Sequence, residues 1–173
     1  MTATSPPVCN TTFGAIMNNM IEECSYLQTY LNENIPLTNA VNFKVAYYDG
    51  QTIKYEVPLK GNHNDKGTGF AGSIFAAGIL TAWGFANMQA RSRNVTAEIV
   101  ASNASIAYKK PVQSDFRTEC TVTADEWDRY FAKLAKRKNS VLTATVNVWD
   151  NVHDEPCAIL TAEVFAYIKR DDY

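Results

Sequence analysis

Residues 61–91 read GNHNDKGTGFAGSIFAAGILTAWGFANMQAR. No charged residue occurs from Gly67 to Ala90, and Ala71, Gly72, Ala76, Ala77, Gly78, Ala82, Gly84 and Ala86 spread small residues around every side. A helix that is apolar all round must be enclosed by protein or by lipid. The length suffices for a bilayer. Ser73, Thr81, Asn87, Gln89 and the glycines, with few Leu/Ile/Val runs, count against insertion. The reading is therefore a buried helix wrapped by a sheet, with no membrane span. In front of it stands the densest group of polar side chains in the chain: Asn62, His63, Asn64, Asp65, Lys66 and Thr68.

The segments on either side supply the wrapping. FKVAYYD and QTIKYEVPL flank Asp49-Gly50, a two-residue hairpin signal in which both turn positions take positive φ. Ile53, Tyr55, Val57 and Leu59 share one face of the second arm. Four further extended segments follow the helix: Val95–Tyr108, Phe116–Ala124, Ser140–Asp150 and Cys157–Lys169. In the first, Ala97, Ile99 and Ala101 alternate with Thr96, Glu98 and Val100; in the other three, Phe116/Thr118/Cys120/Val122, Leu142/Ala144/Val146/Val148 and Ala158/Leu160/Ala162/Val164 mark the core faces. Such long strands suit a strongly curved antiparallel sheet. Between the second and third, DEWDRYFAKLAKRKN reads as a short helix N-capped by Asp125, with basic residues at its C-terminal end. Upstream, Phe13, Ile16, Met17, Met20, Ile21, Cys24, Leu27 and Leu31 place one apolar stripe on a helix over 12–34, which Pro36 ends. Residues 1–11, rich in Thr, Ser and Pro, are expected to be flexible. One domain spanning 1–173 is expected. Its class is α+β: a curved antiparallel sheet around a long central helix, the hotdog architecture, with an extra N-terminal helix.

Composition narrows the function. A net charge of -2 gives no basic field for nucleic acid. With 46% hydrophobic and 12% aromatic residues the chain is not disordered. Cys9, Cys24, Cys120 and Cys157 form no CxxC pair, and only His63 and His153 could join them, so no metal site is expected. The N-terminus lacks a basic start and an apolar core, so no signal peptide is read and cytoplasmic, reduced thiols are expected. Gly67 to Gly72 fits GxGxxG, but a polar stretch precedes it, and the first acid beyond it is Glu98, which argues against a dinucleotide site. Ser73 lies in AGSIF rather than GxSxG, which gives little support to a serine nucleophile.

Asn64-Asp65-Lys66-Gly67-Thr68-Gly69-Phe70-Ala71-Gly72-Ser73, continued by Leu80-Thr81-Ala82-Trp83-Gly84, resembles the signature of the hotdog thioesterase family typified by the YiiD C-terminal domain. Tyr108-Lys109-Lys110-Pro111-Val112-Gln113-Ser114-Asp115 is similar to a turn common in hotdog thioesterases. Ala71 and Ala82 depart from the family's usual glycines. The resemblance implies hydrolysis of acyl-CoA or acyl-carrier-protein thioesters, as in fatty acid metabolism, by a homodimer or larger homo-oligomer, with coenzyme A entering only as part of the substrate and no other cofactor.

The residues can be set against that chemistry. An activated thioester needs a carboxylate to activate water and donors for the oxyanion. The central helix holds no acid, so Asp65 is the acid the motif offers. Asn64 would orient water or the carbonyl, and the N–H groups of Ala71 or Gly72 would polarise it, with His63 as a further base candidate. Thr68, Phe70, Ser73 and Trp83 would meet the substrate; Lys109, Lys110, Arg137 and Lys138 would meet CoA phosphates. Two other readings stay open: an acyl-CoA-binding module without catalysis, and a hotdog dehydratase or hydratase using His63.

Overall fold

The structure, a computed structural model, describes residues 10–168. Cys9, most of the expected flexible start and Lys169 lie outside the described residues, as do the side chains of Phe13 and Ile16. The element order is α1 (Asn10–Asn34), α2 (Leu37–Val41), β1 (Lys44–Tyr48), β2 (Thr52–Val57), α3 (Ala71–Ser92), β3 (Glu98–Tyr108), β4 (Phe116–Thr121), α4 (Ala124–Arg137), β5 (Asn139–Asp150) and β6 (Ala158–Tyr167). The strands form one sheet in the order β1-β2-β4-β5-β6-β3, antiparallel at every step. It curls around α3 in the hotdog arrangement.

Length and composition would let α3 cross a membrane. Instead most of its residues from Ile74 through Ala90 are buried and the rest of that stretch partly so, against the alternating faces that the sequence marks. Small residues let the sheet come close. A Cβ on Gly78 would stand 2.9 Å from Leu160 Cδ1 on β6. The polar groups of α3 find partners: Thr81 Oγ1 lies 2.6 Å from Thr118 Oγ1, and Gln89 Nε2 donates to Gly50 O at 2.6 Å. A buried polar group so paired avoids the cost of desolvation without compensation.

Three local expectations change. In the β1–β2 hairpin only Gly50 has positive φ, at 88°. Asp49 instead holds the turn with its carboxylate, accepting from Gln51 N and Thr52 N at 2.8 and 2.7 Å. The cap of α4 is Thr123, not Asp125: its hydroxyl accepts from Glu126 N while Glu126 reaches back to Thr123 N, a capping box. In β3 the pairing shifts register between Ala101 and Asn103, so the alternation around Ile99 does not continue and only Ile99 is buried.

The two sheet edges differ. On β1, Gln28 of α1 accepts from Val45 N at 2.7 Å and donates to Phe43 O at 3.2 Å, standing in for a strand. The outer edge of β3, eleven residues long, pairs with no further strand among the described residues.

Candidate active site

The loop from Gly61 to Phe70 folds on itself before α3 begins. His63 and Gly69 form an isolated antiparallel bridge, and buried Asn62 donates to Val41 O and Pro58 O at 2.7 and 2.9 Å. Asn64 is the internal tie: its Oδ1 accepts from Lys66 N and Thr68 N at 2.9 and 3.2 Å, and its Nδ2 donates to Thr68 Oγ1 at 3.0 Å. This is an Asx turn, formed because a short amide side chain can satisfy the backbone two residues on. Gly69 is glycine for lack of space. Its N–H donates to Val112 O at 2.8 Å, and a Cβ there would stand 2.9 Å from Val112 Cβ.

Phe70 is the N-cap of α3 and has no side-chain acceptor to offer. The first main-chain bond of the helix runs from Ile74 N to Phe70 O at 3.1 Å. The amides of Ala71, Gly72 and Ser73 are therefore left without an acceptor among the described residues, at the positive end of the helix dipole. Phe70 itself is half-exposed, and its ring lies so close over Gly72 that a Cβ there would collide with it. Beside this end opens a cleft of about 360 Å³, walled by Asn64, Thr68 and Ala71 on one side and Tyr108, Lys109 and Val112 on the other. Tyr108 bridges the walls, donating its hydroxyl to Ala71 O at 2.8 Å.

The fold thus brings Asn64, Thr68, Ala71, Lys109 and Lys110 to one cleft. Lys110 is ion-paired there with Glu155 at 2.9 Å, which raises its pKa. Asp65 stands at the loop tip, 79% of its side chain exposed, paired with Lys66 at 3.0 Å and outside the cleft lining of the single chain. His63 is also exposed, with Nδ1 3.1 Å from Asn64 O. Ser73 is half-buried in the first turn of the helix. Trp83 lies three turns along α3, its Nε1 donating to Ile99 O at 2.7 Å and its ring stacked on Tyr30. Arg137 and Lys138 end α4 at the far end of α3, where Asn139 pairs with Tyr167. The 22-residue α3 spans about 33 Å, so within one chain these two cannot share a small ligand with the loop.

Cysteine spacing hid a second cluster. Asp150, His153 and Cys157 meet where β5 turns into β6. Burial alone would raise the Asp150 carboxyl, but donation from Gln113 N, the His153 ring, His153 N and Val152 N outweighs it and holds the pKa at about 2. Burial pushes the Cys157 thiol up, and the Asp150 charge adds to that. The signal was an Asp-x-x-His-x-x-x-Cys run across one hairpin loop, which a search for paired cysteines, with histidines weighed only as additions to them and the acid left out, passes over.

Residues 24–164 match the family described as putative thioesterase (yiiD_Cterm). Among solved structures the chain is similar to a protein of unknown function from Chlorobaculum tepidum TLS, with a TM-score of 0.79 and 19% identity over 84% of this chain and 94% of that one. It is also similar to a putative thioesterase from Shewanella oneidensis, with a TM-score of 0.73 and 22% identity over 87% of this chain and 100% of that one. The E. coli PaaI protein from the phenylacetic acid degradation operon follows at 0.59 and 12%, over 86% and 95%. At these identities the structural likeness speaks for the fold.

Proposed function

The chain belongs to the putative thioesterase family matched over residues 24–164, and from that premise we propose that it hydrolyses an acyl-CoA or acyl-carrier-protein thioester at the cleft before α3. The observation that carries this is the uncapped start of α3 opening on that cleft. A thioester carbonyl placed there receives N–H groups from Ala71 and Gly72 as it becomes an oxyanion. Losing one such donor costs about 3–4 kcal/mol in comparable sites. Lys109 and Lys110 line the same cleft and suit the phosphates of CoA, while the acyl chain runs along α3 toward Trp83. Thr68, Phe70 and Ser73 border the carbonyl end. Hydrolysis on this plan needs no cofactor, and free thiols at Cys24, Cys120 and Cys157 are compatible with a cytoplasmic setting.

Asp65 fits the role of water-activating acid if a second copy completes the site. The outer edge of β3, which pairs with no further strand among the described residues, is where such a copy would add its own β3, antiparallel, as edges of this length favour. That pairing would carry the partner's Glu98 end, and with it a second Arg137 and Lys138, toward this chain's Tyr108 end. Asp65 would then face substrate held between copies, with Asn64 keeping its loop in shape and His63 beside it.

A specific observation favours a second reading. Asn64 is already committed to its own loop and Asp65 is solvent-facing, which suits an acyl-CoA-binding module without turnover. Measuring CoA release across an acyl-CoA panel, with isothermal titration of the same ligands, separates the two. Turnover by the wild type that Asp65→Ala reduces at least a hundred-fold supports hydrolysis. Tight binding with no release in the wild type leaves the binding module.

A further inference from the structure

The Asp150–His153–Cys157 cluster plays no part in the proposed hydrolysis, yet it is built with care. Nδ1 of His153 lies 2.9 and 3.1 Å from the two Asp150 oxygens and 3.5 Å from Cys157 Sγ. One ligand-class atom from each residue falls within 4.8 Å of the other two. Zinc takes nitrogen and oxygen at about 2.0–2.2 Å and sulfur at about 2.3 Å, which puts neighbouring ligand atoms of a tetrahedron about 3.3–3.6 Å apart. The two edges from His153 Nδ1, 2.9 Å to Asp150 Oδ1 and 3.5 Å to Cys157 Sγ, thus lie within about half an ångström of the spacing an ion would impose, and the third edge is no longer than 4.8 Å.

We propose that Asp150, His153 and Cys157 form a three-ligand site for a divalent transition-metal ion of the zinc class, its fourth position open to water. A thiolate and an imidazole together select such an ion over magnesium or calcium. Binding releases the Cys157 thiol proton to solvent, while His153 binds as a neutral imidazole through the Nδ1 lone pair with its ring proton on Nε2. The anionic carboxylate and thiolate then balance the dication, so no uncompensated charge is left in a buried place. The ligands are also held from behind. Asp150 accepts from Gln113 N, Val152 N and His153 N at 2.9, 3.1 and 2.9 Å. Cys157 is fixed by its N–H to Val148 O at 2.7 Å, and its carbonyl accepts from Lys109 N and Lys110 N. Outer contacts of this kind orient a ligand before the ion arrives. The His153 side chain, 22% exposed, gives the ion a way in.

Those outer contacts lead to the cleft, because Lys109 and Lys110 lie on its wall. An ion here would tie the β5–β6 loop to the β3–β4 turn, a structural role beside the substrate rather than a chemical one.

Cobalt(II) titration of the full-length, chelator-treated protein tests this. The expected result is one equivalent per chain, with tetrahedral d–d bands and a thiolate-to-cobalt charge-transfer band, both displaced by zinc. Cys157→Ser should lose the charge-transfer band, and His153→Ala, at a partly exposed position, should weaken binding at least ten-fold while keeping the fold. Cys9→Ser and Cys24→Ser should leave the spectrum unchanged. No stoichiometric band in the wild type, or a charge-transfer band undiminished in folded Cys157→Ser or His153→Ala, would overturn the proposal and leave a hydrogen-bonded knot.

Discussion

Tyr55 on β2 donates its hydroxyl to the carbonyl of Leu80 at 3.1 Å, across the space that a side chain on Gly84 would fill. The phenol is fully buried and stays protonated, because burial raises its pKa far above the ordinary value. Gly84→Ala forces the ring aside and strips the hydroxyl of its acceptor. Overpacking and a lost buried hydrogen bond together predict a destabilisation of about 2–4 kcal/mol by urea unfolding. Gly84→Ala combined with Tyr55→Phe should be more stable than Gly84→Ala alone, since the clashing oxygen is then gone. A double variant no better than the single one would put the strain elsewhere.

The capping box of α4 gives a smaller, cleaner prediction. Thr123→Ala removes the acceptor for Glu126 N and should cost about 1 kcal/mol. Asp125→Ala, at the position that sequence reading makes the cap, should cost much less. Thermal denaturation of the two variants side by side checks the order.

That misplaced cap shows what the sequence could and could not give. Burial alternation is carried by each residue on its own, so the core faces of β2, β4, β5 and β6 could be read directly. The all-round apolarity of α3 likewise forced its enclosure. Contact information is different. Asp125 and Thr123 both suit a cap, and the choice depends on where the chain leaves β4. The bulge at Ser102 depends on how β3 meets β6. Placement of Arg137 and Lys138 beyond reach of the loop follows from strand order, which residue types do not encode. The Asn64-Asp65 pair shows the same limit within two residues: both were legible as polar loop side chains, but only the fold reveals that Asn64 turns inward and Asp65 outward.

Asp49 makes the β1–β2 turn sensitive to acid. Burial would raise its carboxyl, but donation from Gln51 N, the Tyr47 hydroxyl and Thr52 N prevails and lowers the pKa below its ordinary value. A folded pKa below the unfolded one gives stability that is present above the unfolded value of about 3.9 and lost as pH falls through the folded one. Hydrogen exchange at Gln51 and Thr52 should therefore accelerate, relative to the core strands, as pH drops below about 4. Asp49→Asn keeps an acceptor oxygen that does not titrate, so its relative exchange should stay flat across the same range. An equal acceleration in both proteins would assign the effect to another group.

Tyr108 links the cleft walls, and its removal should touch catalysis before stability. Its hydroxyl holds Ala71 O, one residue ahead of Gly72 in the turn whose amides are proposed to receive the oxyanion. The residue is 48% exposed, so losing the bond should change global stability by about 0.5 kcal/mol or less. A bond of this kind contributes about 0.5–1.5 kcal/mol, and if the first turn of α3 must be held in place for the transition state, kcat for Tyr108→Phe should fall by about two- to ten-fold. KM should move little, because the lysines and the walls of the cleft remain. Acyl-CoA kinetics alongside thermal unfolding give both numbers on one preparation. A lower Tm with unchanged kcat would make Tyr108 a packing residue and remove the tether from the mechanism.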